Sequence, residues 1–240
     1  LYGEPFQKYA DNFELYLDPA AEHQIKLRRK NFTPPTSGNI DMTSMTADEA
    51  QLTIRAALAA GFTEIKLTGE LSKTGIGGNW GTFTNNKKIT KCDLTGVTDW
   101  GRTPTLPDAA FSNCTALQEV TLPDDMKVIG GGAFFGCAAL TKVNLSQVTW
   151  INLNAFWECT SLETLALNNV TAIGREAFYG CTGLETLKIP KCTQFGNYIV
   201  TGCKALTRIE ATAAGDFVDI SYGTSSIERS AVFHNRDGHT

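Results

Sequence analysis

Apolar positions along this chain recur in a fixed frame. Six times an apolar residue is followed three positions later by Cys or Asn, and three further on by Leu or Ile. The frames are Phe83-Asn86-Ile89, Phe111-Cys114-Leu117, Phe134-Cys137-Leu140, Phe156-Cys159-Leu162, Phe178-Cys181-Leu184 and Val200-Cys203-Leu206, and from Phe111 onward they fall 22 or 23 residues apart. Self-similarity at that period predicts a solenoid. After each frame, apolar and polar residues alternate, as in Val120-Thr121-Leu122 and Val143-Asn144-Leu145, which predicts one short strand with one buried face. A second apolar site follows at Val128-Ile129-Gly130, Trp150-Ile151, Ala172-Ile173-Gly174 and Gln194-Phe195-Gly196. The spacing of Ala-Phe-x-x-Cys then suits a single helical or 3₁₀ turn. No coil of this size can bury its own Phe, Leu and Cys, but stacking like on like makes a continuous core.

The ends of the array are marked by departures from the frame. Upstream, Thr63–Leu67 reads as a first strand, preceded by a helix over Ala47–Ala60 that opens on the capping box Thr46-x-x-Glu49 and stops at Gly61. Such a helix is expected to cover the exposed end of the core, as terminal units of repeat arrays must. Phe13–Leu17 and Gln24–Leu27 read as a strand pair, and Thr33–Gly38 as a Pro/Ser/Gly connector. Past Thr212 the frame is lost, although Phe217–Ile220 can add a closing strand. The predicted organisation is therefore an N-terminal appendage or leader and linker over 1–42, a cap of helix and strand over 43–82, repeats over 83–211, and an irregular segment or cap over 212–240.

The frame Ala-Phe-x-x-Cys-x-x-Leu-x-x-Val-x-Leu-Pro, with Ile-Gly before the Ala, resembles the leucine-rich repeats of the BspA-like family of bacterial surface proteins, first associated with treponemal and related anaerobes. The resemblance covers residues 83–211, and the segment 43–71 is similar to N-terminal caps of such proteins. It implies an α/β repeat solenoid, a right-handed leucine-rich-repeat superhelix with a short parallel strand and a helical or 3₁₀ turn per coil. It also implies a secreted or cell-surface location and adhesion to host or bacterial surface components, such as extracellular-matrix proteins. The chain begins at Leu1 rather than Met, and reads as a product whose leader has been removed.

Composition narrows the partners. A formal charge of −4 and a pI near 5.4 argue against nucleic acid, which usually demands a basic face. The one basic cluster, Lys26–Lys30, reads as a solvated stretch beside a strand or linker. No apolar run approaches the length of a membrane span. The histidines, His23, His234 and His239, all lie in the flanks, so no Cys–His or Ser–His pair is expected on the repeats. Gly75-Ile76-Gly77-Gly78 and Gly130-Gly131-Gly132 lack the companions of a P-loop or a dinucleotide fingerprint and read as turns. Glu119 and Glu163 read as surface positions rather than a glycosidase pair.

The seven cysteines invite a disulfide or metal reading. Cys114, Cys137, Cys159, Cys181 and Cys203 share one repeat slot, while Cys92 aligns with Val120 and Cys192 with Val170. All fall where a small apolar residue is wanted, and a coil rise of about 4.8 Å brings neighbours close enough for pairing to be considered. The odd count and the absence of Cys-x-x-Cys favour a buried ladder. No cofactor, metal site or catalytic residue is expected.

Recognition then falls to the strand face. Residues flanking the buried strand position point outward in two columns, Lys91, Glu119, Lys142, Thr164, Thr186 and Arg208 beside Asp93, Thr121, Asn144, Ala166, Lys188 and Glu210. Such a face can bind a protein or a polysaccharide. A structural spacer of a larger surface protein is the other reading. Trp80, Trp100, Trp150, Trp157 and Tyr179 are the aromatics to examine for glycan stacking, with Trp157 and Tyr179 expected to project outward after the buried Phe.

Overall fold

The computed structural model describes residues 33–78 and 81–211, together with the backbone of the strands Phe13–Leu17, Ile25–Arg29 and Val232–His234. The chain divides into two compact units, 1–35 and 36–240. In the first, β1 (Phe13–Leu17) pairs antiparallel with β2 (Ile25–Arg29), Phe13 opposite Arg29 and Leu17 opposite Ile25. The basic run from Lys26 to Arg29 is part of β2.

The second unit is a solenoid of stacked parallel coils. Its first strand, β3 (Asn39–Asp41), is not visible in the repeat frame and pairs with β4 (Glu64–Glu70) one coil before the recognisable array. Helix α1 (Ala47–Ala59) makes the crossover between them. Its start follows the capping box: the Thr46 hydroxyl accepts from the Glu49 N–H, and the Glu49 carboxylate accepts from the Thr46 N–H. Ala50, Ile54, Ala57 and Leu58, spaced to lie on one face, are buried. The expectation of a cap laid over the end of the core is thus refined, since α1 is one side of a coil whose edge strand is β3. A short helix α2 (Leu71–Thr74) follows β4 and closes on Gly75 in the left-handed conformation, φ 64°.

Each later coil contributes to two sheets and a turn column. The strand-face sheet continues through β5 (Lys91–Thr98), β7 (Glu119–Thr121) and β9 (Lys142–Val143) in the order β3-β4-β5-β7-β9. The second apolar site of each repeat makes β6 (Thr105–Leu106), β8 (Val128–Ile129), β10 (Trp150–Ile151), β12 (Ala172–Ile173) and β14 (Gln194–Phe195), a second parallel sheet in register. On the strand face the ladder stops after β9 and resumes with β11 (Thr164–Ala166), β13 (Thr186–Lys188), β15 (Arg208–Glu210) and β16 (Val232–His234). The closing strand expected at Phe217–Ile220 lies outside the described residues.

The core is the superposition of repeat slots. Phe83, Phe111, Phe134, Phe156 and Phe178 are fully buried and stack ring on ring at 5.1 to 5.6 Å between centroids. All seven cysteines are buried free thiols. Five of them do more than fill space: the thiols of Cys114, Cys137, Cys159, Cys181 and Cys203 each donate to the carbonyl of the Phe one coil earlier, at 2.9 to 3.1 Å. Asn86, in the same slot of the first frame, instead accepts with its side-chain oxygen from the N–H groups of Lys88 and Ile89.

The turn column is a third ladder. Phe111, Phe134, Phe156 and Phe178 donate their N–H to carbonyls of the next coil at 2.7 to 2.9 Å. In the five coils from Phe111 to Val200 the residues two before and two after that slot take left-handed φ, Ala109, Gly132, Asn154, Glu176 and Tyr198 on one side and Asn113, Gly136, Glu158, Gly180 and Gly202 on the other, and in the Phe83 coil Asn85 does so on the second side. The frequency of Asn and Gly in the second set reflects the low cost of that conformation for them. At Glu158 the strain is offset by an N–H···O bond of 2.7 Å to Tyr179 in the next coil.

Candidate functional site

The strand face presents the two sequence-derived columns in register: Lys91 opposite Glu119 opposite Lys142, Asp93 opposite Thr121, and separately Thr164–Thr186–Arg208 beside Ala166–Lys188–Glu210. The break between β9 and β11 divides them into two groups that share no ladder. In the first group, β4 supplies two residues the repeat frame did not single out, Glu64 opposite Lys91 and Lys66 opposite Asp93. Thr63–Leu67 already read as a strand, so its outward alternation was the signal that extends the columns.

Charge alternates down the first column, Glu64, Lys91, Glu119, Lys142, and ion pairs cross the coils. Lys91 Nζ lies 3.0 Å from Glu64 and Lys66 Nζ 2.7 Å from Asp93, while Lys142 pairs with Glu119. The hydrogen bond to Glu64 raises the pKa of Lys91. Burial pushes Asp93 up, but hydrogen bonds from the Lys66 ammonium and from Thr95 outweigh it and hold the carboxyl below its usual range. In the second group, Glu210 accepts from Arg208 Nε at 2.8 Å and lies 3.6 Å from Lys188. A shallow cavity of about 300 Å³ opens on the first group, lined by Asn39, Glu64, Lys66, Lys91, Asp93, Glu119 and Thr121 among others. Thr164, Thr186, Lys188, Arg208 and Glu210 do not border it.

Asn144 is held differently from its column mates. Its carboxamide oxygen accepts from the Leu122 N–H at 2.7 Å and its amide donates to the Leu122 carbonyl at 2.8 Å, so the side chain extends the β7·β9 ladder by one rung. It is committed to the backbone rather than offered to a partner. Asn144→Ala leaves both half-buried backbone groups of Leu122 without these partners, and is expected to cost about 1–3 kcal/mol in a urea titration. A change near zero would mean that water replaces the side chain without loss.

Of the aromatics, Trp100 is buried with its Nε1–H on the Val97 carbonyl, and Trp150 is 49% exposed on β10. Trp80 lies outside the described residues. Trp157 and Tyr179 are half-buried, and with Phe135 they form a second aromatic stack, outside the Phe core, at 5.7 and 4.0 Å. Phe135 occupies the same slot one coil earlier, and its position directly after Phe134 was the missed signal. Among the described residues no group of three His, Cys, Asp or Glu is placed to hold a metal ion, and no helix is long and apolar enough to cross a membrane.

Stacked parallel coils with two in-register sheets, a Phe ladder and a ladder of Cys on Phe carbonyls define a leucine-rich-repeat solenoid of about seven turns. The chain belongs to the BspA-type leucine-rich-repeat family, whose repeat-region model matches residues 79–207 in six copies. It is similar to solved structures of a leucine-rich repeat protein of T. pallidum, at 20% identity over 84% of this chain and 69% of that one, TM-score 0.42. A leucine-rich cell surface protein from Faecalibacterium prausnitzii is similar at 20% identity over 83% of this chain, TM-score 0.46, and this chain spans 53% of its length. A leucine-rich-repeat protein from Bacteroides ovatus is similar at 19% identity over 84% of this chain and 70% of that one, TM-score 0.29. No curated protein matches.

Proposed function

We propose that this chain is a non-catalytic binding module of a secreted or cell-surface protein, and that it engages host or bacterial surface proteins or polysaccharides through the strand face. The observation that carries this reading is the in-register outward column from Glu64 to Lys142, with its cavity of about 300 Å³. Cross-coil ion pairs hold long side chains in fixed positions there, so that a partner meets a patterned surface whose ordering cost is already met in part. Membership of a repeat family whose scaffold serves recognition supports the same reading. A second reading, a structural spacer, is favoured by one fact: the charges on this face already satisfy one another.

The two readings separate in a binding screen of the chain against extracellular-matrix proteins and bacterial and host polysaccharides. The pair Lys142→Glu and Arg208→Glu reverses one exposed cation in each group. For a binding module, affinity is expected to fall about tenfold or more. Stability should change by less than about 1 kcal/mol, the scale of exposed ion pairs. Saturable binding untouched by both substitutions would remove the strand face from recognition, and homotypic association alone would support the spacer.

A further inference from the structure

The outer aromatic stack is missing a rung, and the gap is a cavity. The slot directly after the core Phe holds Phe135, Trp157 and Tyr179 in three successive coils, but Ser112 in the coil before them. Phe135 therefore stacks on Trp157 through one face only. Beside it lies a solvent-open cavity of about 420 Å³, whose lining includes Asp108, Ser112, Asn113, Phe135, Leu153 and Asn154. Its floor is the Gly131-Gly132 pair, where neighbouring coils carry Asp108-Ala109 and Leu153-Asn154. A Cβ at Gly132 would meet nothing nearer than Phe135 Cβ at 3.7 Å, so the space is open because side chains are absent and not because the backbone parts. Gly131 and Gly132, part of a run that reads as a mere turn in the sequence, clear this floor, while Gly130 before them lets the backbone approach Leu106 closely.

We propose that this notch on the turn column is a saccharide subsite that takes one pyranose ring of the all-equatorial kind, as in β-linked glucose or N-acetylglucosamine chains. Such a ring is flat and presents C–H groups on its faces and hydroxyls around its edge. The face fits the free side of Phe135, and Leu153 adds apolar wall. The edge meets a rim of separate polar groups: the Asp108 carboxylate, which already accepts from the Gly131 N–H at 2.6 Å, the Ser112 hydroxyl, and the amides of Asn113 and Asn154. Asn154 Oδ1 is buried and accepts no hydrogen bond from the protein. An apolar platform ringed by a few placed polar groups, in a volume within the range of about 300–1,000 Å³, is the composition of small-ligand sites.

Local charge favours a neutral ligand over a guanidinium or ammonium. The Lys87 ammonium donates to the backbone carbonyl of Asn113, a residue of the notch lining, at 2.7 Å, which adds a positive charge on that side of the notch. The site is on a different side of the coil from the strand face and stands whether or not that face binds anything.

The test is titration of the whole chain with cellotriose and with the N-acetylglucosamine trimer, followed by the amide resonances of Gly131, Gly132 and Asn154 and by saturation transfer from protein to sugar. Saturable shifts confined to those amides are expected with at least one sugar. Ser112→Phe supplies the missing rung and covers the free face of Phe135. It should weaken binding about tenfold or more while leaving unfolding by urea no easier, because the same slot already accepts Phe135 and Trp157. Gly132→Asn, at a backbone position where Asn154 has the same left-handed φ, should narrow the floor with the same effect. Lys142→Glu and Arg208→Glu should leave these shifts unchanged. The proposal is overturned if neither sugar moves those resonances, if Ser112→Phe binds as the parent does, or if arginine methyl ester shifts them and the sugars do not.

Discussion

Raising the pH from about 9 to 10 under reducing conditions is expected to remove about 5 kcal/mol of stability, a loss on the scale of a small domain's whole stability. The cause is the thiol ladder. Burial pushes the pKa of Cys92, Cys114, Cys137 and Cys159 above the ordinary value of 9.0, that of Cys114 to about 12. For Cys181 the hydrogen bond with the Cys203 thiol acts first and burial second, in the same direction. The folded-state pKa is raised, so the stabilisation is fully present below the unfolded value near 9. It is lost as pH climbs from there toward the folded value, because the unfolded chain releases protons that the native core retains. Each thiol contributes about 1 kcal/mol between pH 9 and 10, because the unfolded thiol is already half ionised at the start of that window, and five together give the stated loss. Urea titrations between pH 8 and 10 measure it, and the double variant Cys137→Ala, Cys159→Ala separates the thiols from the tyrosines and lysines that titrate nearby. Its loss of stability between pH 9 and 10 should be smaller by about 2 kcal/mol. An unchanged slope would mean that these thiols ionise as easily in the folded state as in the unfolded one.

Phe156→Ala should cost about 3–5 kcal/mol, since the ring is wholly buried at the middle of the ladder, 5.1 Å from Phe134 and 5.6 Å from Phe178. The cavity it opens is shared by two neighbouring coils, and neither can collapse into it without breaking the N–H···O bonds by which Phe134 and Phe156 hold to the next coil. In a solenoid the interface terms between neighbours carry much of the stability, so a lesion at this position weakens two interfaces at once. Phe135→Ala is the control. That ring is half-buried with one face free, and its loss should cost about 1.5 kcal/mol or less. A cost below about 1 kcal/mol for Phe156→Ala would remove it from the set of residues that hold the coils together.

The repeat frame is legible because burial in a solenoid is local and periodic. Each coil must place an apolar residue in the same slots, so Phe111, Cys137, Leu165 and Ile173 announce their positions without reference to any partner. The helix over Ala47–Ala59 is legible for a similar reason, its capping box being contained within four residues. The strand β3 is not, because three residues, Asn39–Asp41, have no alternation long enough to stand out and are fixed only by pairing with β4.

The outward columns were readable as a list but not as a surface. Whether Lys142 is offered to a partner or turned onto Glu119, and whether Asn144 faces solvent or grips Leu122, depends on the offset between coils, which no single repeat encodes. The same holds for the cysteines. Their slot predicts burial, but the reason a thiol serves there, donation to a Phe carbonyl one coil away, exists only once two coils are stacked. The interruption of the strand ladder between β9 and β11 and the notch beside Phe135 likewise arise between coils. The sequence by itself thus determined the period, the core slots and which strand positions leave the core, because these are set by the pleat and the turn within one coil. The tertiary structure alone decided which polar groups remain free, because that is settled by the register and rise with which one coil meets the next.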